Sequence, residues 1–189
     1  MIYLSKGLLS RRSGKTLIVS HCGIDYLLKG DQALLWENGH HGPYATENPE
    51  QEQFILELAS DGLSEYGSEA GDAAIFRLLI NCVICACARK SFFAALPLLS
   101  KTERELWKWI RFAGLRLTVA ELVFLAENGV KPERELLGDE NRQALTEVIY
   151  TPETIYDGIL ESRMENAAAR DKTVKAILGL LSKNRIFLV

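Results

Sequence analysis

The last seventeen residues, TVKAILGLLSKNRIFLV, constrain the fold of this chain more than any other segment. Val174, Ile177 and Leu181 recur at helical spacing, so they share one face of a helix. The apolar run at 186–189 has the composition of a β-strand and follows a short basic turn. The sequence therefore predicts a helix that leads directly into a terminal strand.

The bulk composition is that of an ordinary folded protein. A chain of 189 residues suits one domain or two small ones, and 48% hydrophobic with 25% charged residues is typical of globular proteins. The formal charge of −3 argues against nucleic-acid binding by the whole surface. Residues 1–46 and 89–134 are net positive, whereas 47–88 and 135–189 are net negative. An anionic partner would therefore meet a local basic patch.

The sequence also bears on compartment. The first residues lack the pattern of a signal peptide. The longest apolar run, at 78–88, has about half of the ~20 residues that a membrane-spanning helix needs. Cys82, Cys85 and Cys87 have apolar neighbours, so we expect them to be buried and reduced, as thiols are in the cytoplasm. The expectation is a cytoplasmic protein with no membrane contact.

The first quarter of the chain predicts a strand followed by a helix. Residues 15–20 (KTLIVS) favour a strand that follows a basic turn at 11–14. Residues 24–36 favour a helix, although Gly30 interrupts the pattern. Residues 37–48 are rich in turn formers and predict a loop.

A second helix and a second strand are expected next. Asn48 is a helix-capping residue, and Pro49 suits the first position of a helix that ends near Gly62. Residues 65–72 then form a polar, glycine-rich tip, and a strand is expected at 74–79. Helix, tip and strand in this order are typical of the wing in a winged-helix domain.

Helix-start signals are clearest in the second half. Two overlapping pairs, Ser100 with Glu103 and Thr102 with Glu105, match the capping box. Thr118 with Glu121 matches it as well. They predict two short helices joined by a tight link at Gly114, as in a helix-turn-helix. Residues 141–150 and 152–183 are expected to be helical.

The order of elements in 100–129, rejoined by 173–189, resembles the winged helix-turn-helix superfamily, and residues 49–87 look like a second copy. The resemblance implies an α+β, predominantly α fold with two winged-helix-like subdomains and short β-hairpins. The expected domains are residues 1–95 and 96–189, the second with a helical insertion. Tandem winged-helix proteins occur among bacterial DNA-binding, replication and regulatory factors, so a transcriptional or replication regulator that binds double-stranded DNA is expected.

Two basic clusters could contact DNA, because a winged helix binds through an exposed helix face and its wing. One cluster surrounds the last helix and the other precedes the strand at 15–20. The alternatives are a solvated helix and a charged turn. The candidate DNA-binding residues are Arg170, Lys172, Lys175, Lys183, Arg185, Arg11, Arg12 and Lys15.

A non-enzymatic interaction or assembly module is the competing hypothesis, because winged helices also bind proteins. The candidate helix of the first half carries Glu50, Glu52, Glu57 and Asp61, which would repel phosphates. That half is therefore expected to bind a protein partner or to form a homodimer.

Motifs for catalysis, cofactors and metals are incomplete. Gly14-Lys15-Thr16 ends like a phosphate-binding loop, but a strand follows where a helix is required. The cysteines lie in an apolar run and not on the polar turns typical of zinc sites. His40 and His41 have no acidic partner at a spacing that would orient them. No enzyme activity, cofactor or metal is expected, and Trp107 is expected to mark a contact surface.

Overall fold

The structure is a computed structural model that describes residues 1–69, 71–87, 98–151 and 167–189. The fold is α+β, with helices and small antiparallel sheets. The chain divides into two compact units. The first unit comprises Met1–Cys82 together with Leu181–Val189, and the second comprises Val83–Leu180.

Two three-stranded sheets form most of the first unit. The strands up to residue 67 are β1 (Ile2–Ser5), β2 (Leu8–Ser13), β3 (Thr16–His21), β4 (Ile24–Lys29), β5 (Tyr44–Ala45) and β6 (Ser64–Gly67). Strand β1 lies between β5 and β6, and β3 lies between β2 and β4. All four pairings are antiparallel. The second sheet is a meander in which each strand pairs with the next one along the chain.

The helices of the first unit are α1 (Gly30–His40), α2 (Pro49–Ser60) and α3 (Asp72–Ile80). Apolar side chains of α1 and α2 and of the strands form one buried core, which consists of Tyr3, Leu17, Val19, Leu28, Ala33, Leu35, Trp36, Ile55, Leu58 and Leu63. Burial of such a cluster is the main favourable term in folding. It fixes α1 against β1, β3 and β4.

The strand and helices of the second unit are β7 (Ile84–Ala86), α4 (Lys101–Phe112), α5 (Val119–Glu127), α6 (Arg142–Ile149) and α7 (Ala167–Ser182). The last two residues of α7 belong to the first unit. Helices α4 and α5 both begin with complete capping boxes, as predicted. In α4, the Ser100 hydroxyl accepts the Glu103 N–H at 3.2 Å, and the Glu103 carboxylate accepts the Ser100 N–H at 2.7 Å. Trp107 is fully buried, so its predicted role as a contact-surface marker is wrong.

Strand β8 (Ile186–Leu188) confirms the predicted terminal strand, and it belongs to the first unit. The Gly7 N–H donates to the Leu188 carbonyl at 2.7 Å. The predicted helix at 141–150 is confirmed, and that at 152–183 is confirmed over α7, while its part at 152–166 lies outside the described residues. The expected domain boundary between 95 and 96 also lies outside them.

Four secondary-structure predictions in the first unit are wrong. Residues 74–79 belong to helix α3 and not to a strand. The predicted helix at 24–36 is confirmed from Gly30 onward, but residues 24–29 form β4, and α1 extends to His40 into the predicted loop. Arg11 and Arg12 lie within strand β2 and not in a turn. In each case pairing or packing with distant residues overrides the local pattern.

Candidate functional site

Helix α7, the predicted DNA-recognition helix, buries a broad face. Its buried residues are Thr173, Val174, Ala176, Ile177, Leu180 and Leu181. A helix that reads the major groove presents several adjacent side chains to the bases. Here burial leaves only a narrow stripe in solvent, with Lys172 and Lys175 exposed on it. The stripe is suited to phosphate contact more than to base recognition.

The other cations of the C-terminal block have different surroundings. The Arg170 guanidinium pairs with the neighbouring Asp171 carboxylate at 3.0 Å, which offsets its charge. Lys183 is exposed and Arg185 is half-buried, and both follow α7 in the part of the chain that belongs to the first unit. The structure therefore assigns the five predicted C-terminal residues to two units.

The N-terminal basic cluster lies on the β2–β3 hairpin. A bulge between Leu9 and Arg11 shifts the pairing register, so that Arg11 lies opposite Ile18 and Arg12 opposite the buried Leu17. The bulge thereby turns Arg12 toward α1, because an extra residue reverses the alternation of faces. There its guanidinium pairs with the Glu37 carboxylate at 2.5 Å. Lys15 is exposed in the hairpin turn between β2 and β3.

The outer face of the β2–β3–β4 sheet, opposite α1, is partly apolar. Leu27 is 57% exposed and lies opposite Ile18, and Leu8, which is 39% exposed, lies diagonally beside Ile18 on β2. Leu27 and Ile18 form a cross-strand pair, whereas Leu8 pairs with Ser20 and Arg11 lies directly opposite Ile18. We call Leu8, Ile18 and Leu27 the outer apolar row. The outer apolar row was not predicted, because residues 24–36 were interpreted as one helix. In strand β4 the side chains alternate between the two faces of the sheet, so that Leu27 faces outward and Leu28 faces inward.

A polar cluster borders the outer apolar row. The hydroxyls of Ser10 and Ser20 lie 2.6 Å apart, and the Ser20 hydroxyl donates to the Asp25 carboxylate. All three groups are near the surface and satisfy one another. They give this face a polar rim, which is the usual arrangement around an interaction patch.

A groove of about 280 Å³ lies beside α1, β5 and the beginning of α2 in the first unit. We call it the acidic groove, because Asp31, Glu47 and Glu50 line it, and Arg and Lys are absent from its described lining. Leu34, Tyr44 and Phe54 supply apolar and aromatic surface. A groove of this composition favours a cationic ligand that also carries apolar groups.

Hydrogen bonds hold one rim of the acidic groove in place. The Asn48 side chain accepts the Gln51 N–H at 3.0 Å, and the Gln51 side chain accepts the Glu47 N–H at 2.8 Å. The Thr46 N–H donates to the Met1 carbonyl at 2.9 Å. The segment between β5 and α2 is therefore fixed at both ends, and the predicted Asn48 cap is confirmed.

The cysteines differ in their exposure to solvent. Cys82 is buried as predicted, whereas Cys85 and Cys87 are only half-buried, contrary to the prediction. Desolvation raises the pKa of Cys82 to about 12, so its reactive thiolate is disfavoured. His40 lies at the end of α1, where desolvation and then His41 lower its pKa to about 4. Within the described ranges, His, Cys, Asp and Glu form no group able to hold a metal ion.

A nucleotide site and a membrane span were the other sites considered from the sequence. Gly14-Lys15-Thr16 joins two antiparallel strands, so the helix of a phosphate-binding loop is missing there. None of the helices in the described parts of the chain combines the length and hydropathy needed to cross a bilayer.

Comparisons with protein-family models, with curated proteins and with solved structures give no match.

Proposed function

We propose that this chain is a non-enzymatic interaction or assembly module of winged-helix type, whose first unit binds a protein partner. The observation that carries the proposal is the outer apolar row of Leu8, Ile18 and Leu27. An isolated exposed leucine is common, but apolar side chains from three neighbouring strands on one sheet face, beside polar side chains, are typical of a protein-binding surface. Covering such side chains gains about 25 cal/mol per Å² of apolar surface removed from water.

The winged-helix part of the proposal is supported by the order of elements along the chain from α4 to β8. Helices α4 and α5 are joined by a short link in which Gly114 adopts φ +70°. A Cβ at this position would approach the Gly138 carbonyl oxygen to 2.7 Å, so the link requires glycine. Helix α7 then leads through a short turn into β8. This order resembles that of a winged helix with an insertion before its last helix.

DNA binding is the second candidate function. Lys172 and Lys175 support it because both are exposed on one stripe of α7, one turn apart. Arg11 and Lys15 are exposed on the hairpin of the first unit. The neutralised charges of Arg12 and Arg170 weaken this candidate relative to protein binding.

Site-specific photo-crosslinking in the cells that make this protein tests the interaction proposal. A photoreactive amino acid replaces Leu27 in one variant and the exposed Gln53 of α2 in the matched control. We expect a discrete protein adduct from position 27, no such adduct from position 53, and loss of the adduct when Leu8→Asp is added. Equal adduct patterns from both positions would refute the proposal. Sedimentation of the purified chain shows whether the partner is a second copy.

A mobility-shift assay on duplex DNA at two salt concentrations tests the second candidate. If DNA is bound through α7, Lys172→Glu with Lys175→Glu should weaken binding and lower the salt slope by about 0.9 for each lost phosphate contact. The matched control is Lys101→Glu with Lys108→Glu, two exposed lysines on α4. Equal binding by the α7 variant and the parent would exclude α7 as the DNA contact.

A further inference from the structure

We propose that the acidic groove of the first unit binds a segment of the partner protein that presents an arginine beside an aliphatic side chain. The inference rests on the proposed function of the first unit as a protein-binding module, but it concerns a surface distinct from the outer apolar row. It assigns the groove a defined ligand chemistry, which is supported by the charge of the groove, its apolar lining and the exposed ring of Tyr44.

The charge of the acidic groove is uncompensated. Asp31, Glu47 and Glu50 line it, and none of them takes part in an ion pair among the described residues. Nearby carboxylates are occupied in contrast: Glu52 accepts the Met1 amine at 3.0 Å, and Glu37 pairs with Arg12. A cationic ligand would therefore find available carboxylates in the groove.

The N-terminus of α2 lies beside the acidic groove, but it does not make the groove favour anions over cations. A helix N-terminus attracts anions through its unpaired N–H groups. In α2, the Asn48 side chain already accepts the Gln51 N–H, and Pro49 has no N–H to offer. Glu50 adds a negative charge in the first turn. The local field at this end of the groove therefore favours a cation.

The apolar lining explains why an aliphatic group should accompany the cation. Leu34 is 56% exposed, although its neighbour Leu35 is buried in the core. Phe54 packs partly against the core and lines the groove with its remaining surface. An aliphatic side chain laid on Leu34 and Phe54 would remove apolar surface from water.

Tyr44 favours arginine over lysine as the cation. Its ring is 38% exposed and is held edge-on by Tyr3, with ring centroids 6.1 Å apart. Tyr3 is itself fixed, because its hydroxyl donates to the Leu35 carbonyl at 2.8 Å. A guanidinium can stack on such a ring and also pair with a carboxylate through two N–H groups. An ammonium forms only point contacts.

Fluorescence anisotropy of the full chain with short labelled peptides tests the inference. The probe has an Arg-Leu-Arg core between Gly-Ser flanks, and the comparison peptides replace this core by Lys-Leu-Lys, Arg-Ser-Arg or Glu-Leu-Glu. We expect saturable binding of the Arg-Leu-Arg peptide, weaker binding of the Lys-Leu-Lys and Arg-Ser-Arg peptides, and no binding of Glu-Leu-Glu. Because the carboxylates are exposed, affinity should decrease as salt rises.

Charge-matched variants locate the binding. Glu47→Lys with Glu50→Lys should weaken Arg-Leu-Arg binding about tenfold, since each exposed ion pair contributes modestly and charge reversal adds repulsion. Glu133→Lys with Glu135→Lys changes the net charge equally, at exposed positions of the second unit, and should bind like the parent. Leu34→Ser should weaken binding without altering the net charge.

Three results of the peptide-binding experiments would overturn the proposed arginine site in the acidic groove. No saturable binding of the Arg-Leu-Arg peptide, or equal loss in both charge-reversal variants, would overturn the inference. Free agmatine binding as tightly as the peptide would show a small-cation site and would overturn the polypeptide assignment. Leu27→Glu should leave peptide binding unchanged, because Leu27 lies outside the groove lining. The peptide assay therefore tests binding at the acidic groove, and the photo-crosslinking tests binding at the outer apolar row. A negative result in one assay does not decide the other.

Discussion

His40 stacks on Trp36, with ring centroids 4.5 Å apart and ring planes inclined by 22°. Trp36 is fully buried, and its indole N–H donates to the Lys6 carbonyl at 2.9 Å. The stack places an imidazole in largely desolvated surroundings at the end of α1. It links the C-terminal turn of this helix to the core of the first unit.

The first prediction is that His40 makes stability depend on pH. Its folded-state pKa of about 4 lies below the ordinary value of 6.5, so the unfolded chain takes up the proton first as pH falls. We expect His40 alone to lower the free energy of unfolding by up to about 3 kcal/mol between about pH 7 and pH 4, with no effect above that window.

Urea unfolding of the parent and His40→Phe across this pH range measures the effect. Phenylalanine keeps a ring on Trp36 but cannot be protonated, so this part of the pH dependence should disappear. His41→Asn is the control that retains the titrating His40. The same pH dependence in His40→Phe and the parent would contradict the prediction.

The second prediction concerns the close approach of α1 to β1. A Cβ at Gly39 would lie 2.5 Å from the Ser5 hydroxyl oxygen and 2.6 Å from Tyr3 Cε2. We expect Gly39→Ala to destabilise the first unit by about 1–3 kcal/mol through overpacking, even though alanine is the better helix former by about 1 kcal/mol.

Chemical denaturation measures this cost, and Ser5→Ala provides the complementary test. The Ser5 hydroxyl is buried and has no hydrogen-bond partner among the described residues. Its removal should leave stability unchanged or raise it. It should also relieve part of the Gly39→Ala penalty in the double variant, and strictly additive effects of the two changes would argue against the contact.

The third prediction concerns the hydrogen bond between Tyr150 and Glu121. The Tyr150 hydroxyl donates to Glu121 Oε1 at 2.5 Å, and Glu121 Oε2 accepts the Thr118 N–H at 2.6 Å. Tyr150→Phe should lower the free energy of unfolding by about 1.5–3 kcal/mol, because the acceptor is a buried carboxylate.

A double-mutant cycle with Glu121→Gln, followed by urea unfolding, should give a coupling energy of about 1 kcal/mol or more. Thr146→Ala, at an exposed position on α6, is the control and should change stability by less than about 0.5 kcal/mol. A coupling energy of zero would show that the bond does not contribute.

The fourth prediction distinguishes the thiols of the first unit. Cys22 is exposed, whereas Cys82 is buried and its Sγ–H donates to the Leu78 carbonyl at 3.5 Å. Iodoacetamide at mildly alkaline pH should therefore modify Cys22 rapidly and Cys82 only slowly, because the thiolate is the reactive form. Peptide mass spectrometry over time measures both rates, and denaturant should remove the difference. Equal rates in the native protein would contradict the burial of Cys82.

Local signals in the sequence determined where several helices begin. Asn48, Ser100 and Thr118 each accept an N–H three residues ahead, within a single turn. Such a bond depends only on nearby residues, so the pattern alone predicts it. The terminal strand at 186–188 was predictable for a similar reason, because its apolar run follows a clear turn.

Only the tertiary structure decided which faces are buried and which surfaces are available. Residues 74–79 suit a strand by composition, but they form α3, which packs near β6. The broad burial of α7, the bulge that directs Arg12 to Glu37, and the exposure of Leu27 all depend on elements distant in sequence. Capping energies act within one turn, whereas strand pairing and core burial join residues across the chain. The sequence therefore determined local helix starts, and long-range packing determined the surfaces that can bind a partner.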